Sequence, residues 1–288
     1  MKALITMIDE PEGSKGFIEY AISLAKDLKT SVHLLYVLNP NNYALGTANL
    51  TGASAVQLQR SLEERVKHAR ATLGRHVDDL TDRISGEVAV DISAEIDIER
   101  SVLERLTGEN EDQMVITERG GIESFWAGGS STREIIRAVN CPVWVIPRDA
   151  RYQPFSQIIY ATDYRQEDIP TLMKVISLTR PLAPSITAVH ITESADFDLK
   201  VKEAGFQEMI KKKTGYQKIH LETLIEKEGE NIPDLINDYA GRVGADLIVM
   251  LKENRNFLER IFTSSSTRKI IKHVQTPVLV YHEQGSGE

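Results

Sequence analysis

The chain has 288 residues, enough for about two domains at roughly 150 residues each. Its 41% hydrophobic and 26% charged residues are typical of a globular chain rather than a disordered one. The net charge of −8 argues against a nucleic-acid partner, and the single cysteine, Cys141, excludes an internal disulfide. Since no apolar run is long enough for a transmembrane helix and the N-terminus lacks secretory-signal features, we expect a cytoplasmic protein without a membrane partner.

In the first half of the chain, short apolar runs rich in β-branched residues alternate with amphipathic helical patterns. The runs predict buried strands at 2–8, 32–38, 88–93, 113–117 and 142–146. A helical face after the first strand is formed by Phe17, Ala21, Leu24, Ala25 and Leu28. A longer stripe with steps of three and four is formed by Leu58, Leu62, Val66, Ala69, Leu73, Val77 and Leu80. These stripes predict helices that pack against the strands.

The second half of the chain repeats the first. When Pro142 is aligned with Pro277, ten of the sixteen residues at 130–145 are identical to those at 265–280. The segment at 21–37 likewise aligns with the one at 175–191, which places Asp9 opposite Asp163. The copies span about 1–148 and 154–288, and the first is longer mainly within 39–80. The matching strands are predicted at 156–162, 185–191, 218–225, 246–251 and 277–281.

Five strands joined by four crossover helices predict a parallel sheet with helices on both faces. The fold class is therefore α/β, with two tandem Rossmann-like domains, each a five-stranded parallel sheet flanked by helices. In such sheets a ligand binds beyond the carboxyl ends of the strands, where the strand order reverses. The aspartates that follow the first strand of each copy, Asp9 and Asp163, fall at this position.

Each copy resembles a universal stress protein domain. The resemblance rests on the strand-end aspartates, on Tyr36-Val37 and His190-Ile191 at the end of the second strand, and on ADLIVM at 245–250. A weaker EDQMVIT stands at 111–117, and each copy closes with a Ser/Thr-rich run, a helix and Pro-Val-x-Val. The resemblance covers nearly the whole chain and points to the tandem type of this family.

The resemblance implies nucleotide binding, of ATP or AMP, in the subset of the family that carries Gly-x2-Gly-x9-Gly-Ser/Thr after the fourth strand. Glycines let the backbone approach phosphates, and hydroxyls with helix N-terminal amides then hold them. In the first copy Thr117 replaces the first glycine, and the stretch between Gly120 and Gly129 is one residue short. The nucleotide site implied for this copy consists of Asp9, Val37, Gly120, Gly129, Ser130, Ser131 and Thr132.

The second copy keeps the spacing of this pattern but none of its glycines. Leu251 and Asn254 stand at the first two glycine positions, followed by Ser264 and Ser265. We predict a degenerate nucleotide site that keeps an anion-binding role, formed by Asp163, Ile191, Asn254, Ser264, Ser265 and Ser266. In both copies a structural role stays open, because aspartate is a common turn former and serine and threonine are common helix caps.

The sequence carries no catalytic motif and no His spacing typical of a metal site. We therefore expect a non-enzymatic stress-response protein that binds ATP or AMP through its first copy. A nucleotide-free scaffold with two degenerate sites is the alternative, and a slow ATP hydrolase is a weaker one. The last strands, Val143–Ile146 and Val278–Tyr281, are predicted to pair in an intramolecular pseudo-dimer, with a homodimer left open.

Overall fold

A computed structural model describes residues 3–44, 52–81, 83–84, 88–108, 113–118, 132–148, 150–227, 230, 232–251 and 276–282. The chain folds as two compact units, Met1–Tyr152 and Gln153–Glu288, which we call the first and the second unit. The pairing predicted for the last strands of the two copies stays a prediction.

The first unit alternates strands and helices. Its elements in chain order are β1 (Ala3–Ile8), α1 (Lys15–Leu28), β2 (Ser31–Leu38), α2 (Asn41–Ala44), α3 (Gly52–Thr81), β3 (Val90–Ile96), α4 (Glu99–Thr107), β4 (Gln113–Glu118), α5 (Thr132–Ala138) and β5 (Val143–Ile146). The strands pair in the order β3-β2-β1-β4-β5, and every pair is parallel. The order reverses between β1 and β4, which puts the expected ligand crevice above the carboxyl end of β1.

The second unit repeats this topology. Its elements are β6 (Gln157–Ala161), α6 (Asp168–Thr179), β7 (Ser185–Thr192), α7 (Phe197–Thr214), β8 (Ile219–Ile225), α8 (Ile232–Val243), β9 (Leu247–Leu251) and β10 (Val278–Tyr281). The strands pair as β8-β7-β6-β9-β10, again all parallel. The reversal lies between β6 and β9, so the carboxyl end of β6 corresponds to that of β1.

The predicted α/β class and parallel sheets are confirmed. Central strands such as β4, β6 and β9 are buried along most of their length, as runs without polar alternation require. The α1 face packs inward through Phe17, Ala21, Leu24 and Ala25, all buried. The helix expected between β9 and β10 lies outside the described residues, so the four-helix count of the second copy is not tested.

Much of the extra length of the first copy is built into α3. This helix has 30 residues, whereas its counterpart α7 has 18. Its predicted stripe is buried at Leu62, Ala69, Leu73 and Leu80, so the helix packs over a long distance. The two units therefore share a sheet topology but differ in the helix that passes beside the carboxyl end of the second strand.

Candidate functional site

The first unit brings Asp9 and Val37 together at the carboxyl edge of its sheet. Ile8, the last residue of β1, pairs with Tyr36 on β2, so Asp9 and Val37 follow on adjacent strands. Val37 is buried and Asp9 is exposed. Because side chains alternate in the same way along neighbouring strands, the Asp9 carboxylate lies beside the apolar side chain of Val37. Such a pair is suited to binding a ring with polar substituents.

Two cavities flank the loop between β1 and α1. One, of about 360 Å³, lies toward β2 and α3 and is lined by Pro11, Glu12, Tyr36, Ser61, Glu64, Arg65, His68 and Ala69. The other, of about 630 Å³, lies toward β4 and β5 and is lined by Gly13, Gly16, Phe17, Glu19, Tyr20, Ser23, Glu118, Ile146, Pro147, Ala150, Arg151 and Tyr152. Since β2 and β4 neighbour β1 on opposite sides, Asp9, at the end of β1, begins the loop that both cavities flank.

The charge of Asp9 is set by its position in this crevice. Desolvation by the surrounding protein raises the pKa of Asp9 to about 6, and the positive charge of Arg148 works in the opposite direction. The carboxyl is nevertheless exposed, so water in the crevice offsets part of the cost of its charge. Arg148 also lies 4.0 Å from the Glu118 carboxylate at the end of β4. A shifted carboxyl at a switch point is a recognised mark of functional sites.

Helix α3 holds the loop between β1 and α1 in place. His76 contacts the Pro11 carbonyl oxygen at 3.1 Å, and His68 lies 3.2 Å from the Glu12 carboxylate. One helical turn before His68, Arg65 places its guanidinium 4.9 Å from the centre of the Tyr43 ring. These residues repeat along one side of α3, so the long helix both lines the smaller cavity and supports its rim.

The second unit brings Asp163 and Ile191 to the corresponding positions. The His190 imidazole contacts the Thr162 carbonyl oxygen through Nδ1 at 2.9 Å and lies 3.8 Å from Asp163 Oδ1. The loop after β6 closes on the buried Asp168, whose Oδ2 accepts hydrogen bonds from the Thr162 hydroxyl at 2.6 Å and from the Asp163 and Arg165 amides at 3.2 Å. Burial raises the pKa of Asp168, and these donors counteract the shift.

An aromatic side chain lies over the carboxyl edge of the second unit. Tyr164 is only 5% exposed, and its ring centre lies 4.9 Å from that of His190 and 5.4 Å from that of Phe206. Its backbone has φ 55°, a left-handed conformation that bulky residues rarely adopt. The corresponding residue of the first unit, Glu10, is exposed. The two edges therefore differ at the residue that follows the aspartate.

Several residues of the predicted sites lie outside the described residues. They are Gly120, Gly129, Ser130 and Ser131 in the first copy, and Asn254, Ser264, Ser265 and Ser266 in the second. Among the residues of the loop pattern that are described, Thr132 begins α5, Thr117 is buried on β4 and Leu251 is buried at the end of β9. The phosphate-binding role of both loops stays a prediction.

Sequence reasoning missed Arg65, His68, Arg148 and Tyr164. The α3 residues are polar positions on a helix of ordinary pattern, and only the folded loop between β1 and α1 shows what they face. Tyr164 did carry a signal, because aligning the copies places an aromatic residue opposite Glu10 directly after the strand-end aspartate. In the part of the chain that the structure describes, no three His, Cys, Asp or Glu side chains are grouped to hold a metal ion.

The universal stress protein family model matches residues 1–147 and 154–282 of this chain. The chain belongs to the universal stress protein family. The two matched segments correspond to the two sequence copies, so this universal stress protein is of the tandem type. No curated protein matches it significantly.

Solved structures with this fold include a universal stress protein from Archaeoglobus fulgidus DSM 4304, 14% identical, with a TM-score of 0.61. That match covers 99% of this chain and 97% of the other. A functionally unknown protein from Pseudomonas aeruginosa PAO1 is 16% identical, with a TM-score of 0.54 and coverage of 98% and 93%. The cytoplasmic domain of a prokaryotic cation chloride cotransporter is 13% identical, with a TM-score of 0.55 and coverage of 97% and 95%.

These identities support a shared fold and no more. The cotransporter domain shows that the fold also occurs attached to a transport protein. Within the described ranges of the present chain, no helix has the length and apolar character needed to cross a membrane.

Proposed function

We propose that this universal stress protein acts in the stress response by binding an adenine nucleotide, ATP or AMP, at the carboxyl edge of its first unit, without catalysing a reaction. The observation that carries the proposal is the position of Asp9. It directly follows β1 at the point where the strand order reverses, next to the buried Val37, and cavities flank the loop that it begins. A carboxylate there accepts hydrogen bonds from the hydroxyl groups of a ribose or the amino group of a base.

The remaining parts of the proposed site come from the sequence. Gly120 and Gly129 would let the backbone approach the phosphates, and Ser130, Ser131 and Thr132 would donate hydroxyl groups at the start of α5. We place the protein in the cytoplasm on the same sequence grounds.

Isothermal titration calorimetry with ATP, and separately with AMP, tests the proposal on the full chain. Asp9→Asn keeps the shape of the side chain but removes its charge, and we expect at least a tenfold loss of affinity, about 1.4 kcal/mol. Asp163→Asn is the matched control from the second unit and should change affinity less than twofold. A wild-type chain that binds neither nucleotide, or a larger loss in Asp163→Asn, contradicts the proposal.

A nucleotide-free scaffold is the second candidate. It is favoured by one described feature of the first unit, the buried Thr117 where the nucleotide-binding pattern has its first glycine. Native mass spectrometry of the purified chain separates the two candidates, because a nucleotide carrier should retain ATP or AMP whereas a scaffold should not. The slow hydrolase remains the weaker alternative, since the sequence offers no clear pair of water-positioning base and metal ligand.

A further inference from the structure

We propose that the carboxyl edge of the second unit is a ring-binding site that the chain occupies with its own Tyr164. The ring follows Asp163 directly and lies against the rings of His190 and Phe206, on β7 and α7 respectively. The first unit has a cavity of about 360 Å³ beside Tyr36, the residue aligned with His190. The same place in the fold is thus a cavity in one unit and a seat for an aromatic side chain in the other.

The hydrogen bonds of the phenol define the chemistry of the site. Tyr164 donates its hydroxyl proton to the Glu222 carbonyl oxygen at 3.2 Å. Because the phenol has a single proton, the Thr223 hydroxyl, also at 3.2 Å, donates to the phenol oxygen in return. Thr223 lies opposite His190 in the parallel pair of β7 and β8. The site therefore offers the ring faces of His190 and Phe206. At its far end it has one hydrogen-bond acceptor, the Glu222 carbonyl oxygen, and one donor, the Thr223 hydroxyl.

The first unit lacks the hydroxyl donor of this polar end. Its residue opposite Tyr36, at the position that Thr223 has in the second unit, is the buried Ala94, which has no hydroxyl group. An adenine edge offers an amino donor next to a ring-nitrogen acceptor, the pair that the Glu222 carbonyl and the Thr223 hydroxyl require. The ligand class that fits an emptied second site is therefore a 6-aminopurine, and Tyr164 takes its place.

The backbone around Tyr164 is built to hold the ring there. The Tyr164 amide donates to the Thr162 hydroxyl oxygen at 2.9 Å, and that hydroxyl donates to Asp168. This network holds Tyr164 at its positive φ, a conformation that persists only where the surroundings over-determine it. Burial also raises the pKa of Tyr164 to about 12, so the phenol stays protonated and keeps donating at neutral pH. The closed state is thus part of the folded unit and does not depend on an added partner.

The test uses adenosine, which has no phosphate and so does not depend on the loop after β9. Tyr164→Gly removes the ring and suits the positive φ. We expect it to bind one more adenosine per chain than the wild type, by equilibrium dialysis and calorimetry, and to bind purine riboside, which lacks the amino donor, at least tenfold more weakly. Tyr164→Phe, which keeps the ring, should gain no site. A folded Tyr164→Gly chain without the extra site overturns the proposal.

A second measurement needs no variant. In the wild type, the imidazole NMR signals of His190 should not shift when adenosine is added, because the Tyr164 ring covers this residue; a saturable shift overturns the proposal.

Tyr164→Asn replaces the glycine variant if that chain does not fold, since asparagine tolerates positive φ. The inference depends on the proposed function only in that adenosine is chosen as the ligand to be tested. A wild type that binds neither ATP nor AMP contradicts the first-unit site, whereas the gain of adenosine binding in Tyr164→Gly is judged independently.

Discussion

The two units share a strand order and a strand-end aspartate but differ at the carboxyl edge. In the first unit the residue after Asp9 is an exposed glutamate, and cavities lie on both sides of the loop. In the second unit the residue after Asp163 is Tyr164, which is buried against His190 and Phe206. The repeated fold therefore places the same sheet edge in each unit, and the two edges differ in the residue that follows the aspartate.

The loops themselves are closed in different ways. In the first unit the buried Ser14 donates one hydrogen bond to the Pro11 carbonyl oxygen at 2.8 Å. In the second unit the aligned residue, Asp168, gathers three donors with one carboxylate oxygen. The second loop is thus held by more hydrogen bonds to one side chain than the first loop, which also contacts α3.

The largest effect that we expect tests this difference in loop closure. Asp168→Ala leaves three buried or half-buried donors without their acceptor and should destabilise the second unit by about 3 kcal/mol. Ser14→Ala removes a single bond and should cost the first unit about 1 kcal/mol. Hydrogen exchange of amides in each unit measures both. Equal losses in the two variants contradict the stated difference between the loops.

The next prediction separates two reasons why we expect the second unit to bind ATP weakly. Leu251→Gly with Asn254→Gly restores the two loop glycines, but Tyr164 still fills the ring site, so we expect no measurable gain in ATP affinity. Adding Tyr164→Gly to this pair should raise ATP affinity of the second unit at least tenfold. Calorimetry in an Asp9→Asn background, where binding to the first unit is expected to be weaker, reports mainly on that unit. A full gain from the loop glycines alone would show that glycine loss, and not Tyr164, closes the site.

The smallest effect concerns the charge of Asp9. Its folded-state pKa of about 6 lies above the usual 3.8, so its contribution to stability is present below about pH 4 and is lost as the pH rises to about 6. Asp9→Asn removes this charge and should therefore stabilise the first unit at pH 8. The gain should be only about 1 kcal/mol, because solvent screens the exposed carboxyl. Urea unfolding monitored by hydrogen exchange at pH 4 and pH 8 checks this. The same gain at both pH values would show that the charge is not the cause.

Taken together with the ATP titration, this last variant bears on function. A residue that destabilises the folded unit and yet supports ligand binding is expected at functional sites, where stability and activity compete. Asp9→Asn should then stabilise the chain and weaken nucleotide binding at once. A variant that does neither would reduce Asp9 to a turn former, which is the structural alternative that the sequence left open.

The sequence alone determined the architecture, because it depends on periodic patterns. Buried parallel strands read as unbroken apolar runs, and the repeat doubles every such signal, so the strands were located within a few residues and the α/β class was correct. The positions of Asp9 and Asp163 at strand ends also followed, since the carboxyl ends of parallel strands meet at one edge of the sheet.

Only the tertiary structure decided what surrounds those aspartates. Arg65 and His68 reach the smaller cavity from a helix more than fifty residues along the chain from the loop that they face. The raised pKa of Asp9 comes from protein packed around it, and the role proposed for Tyr164 rests on its positive φ and on its contacts with rings on β7 and α7. Local pattern fixes which face of an element is buried, but contacts between distant elements determine whether the edge that they share is a cavity or is filled.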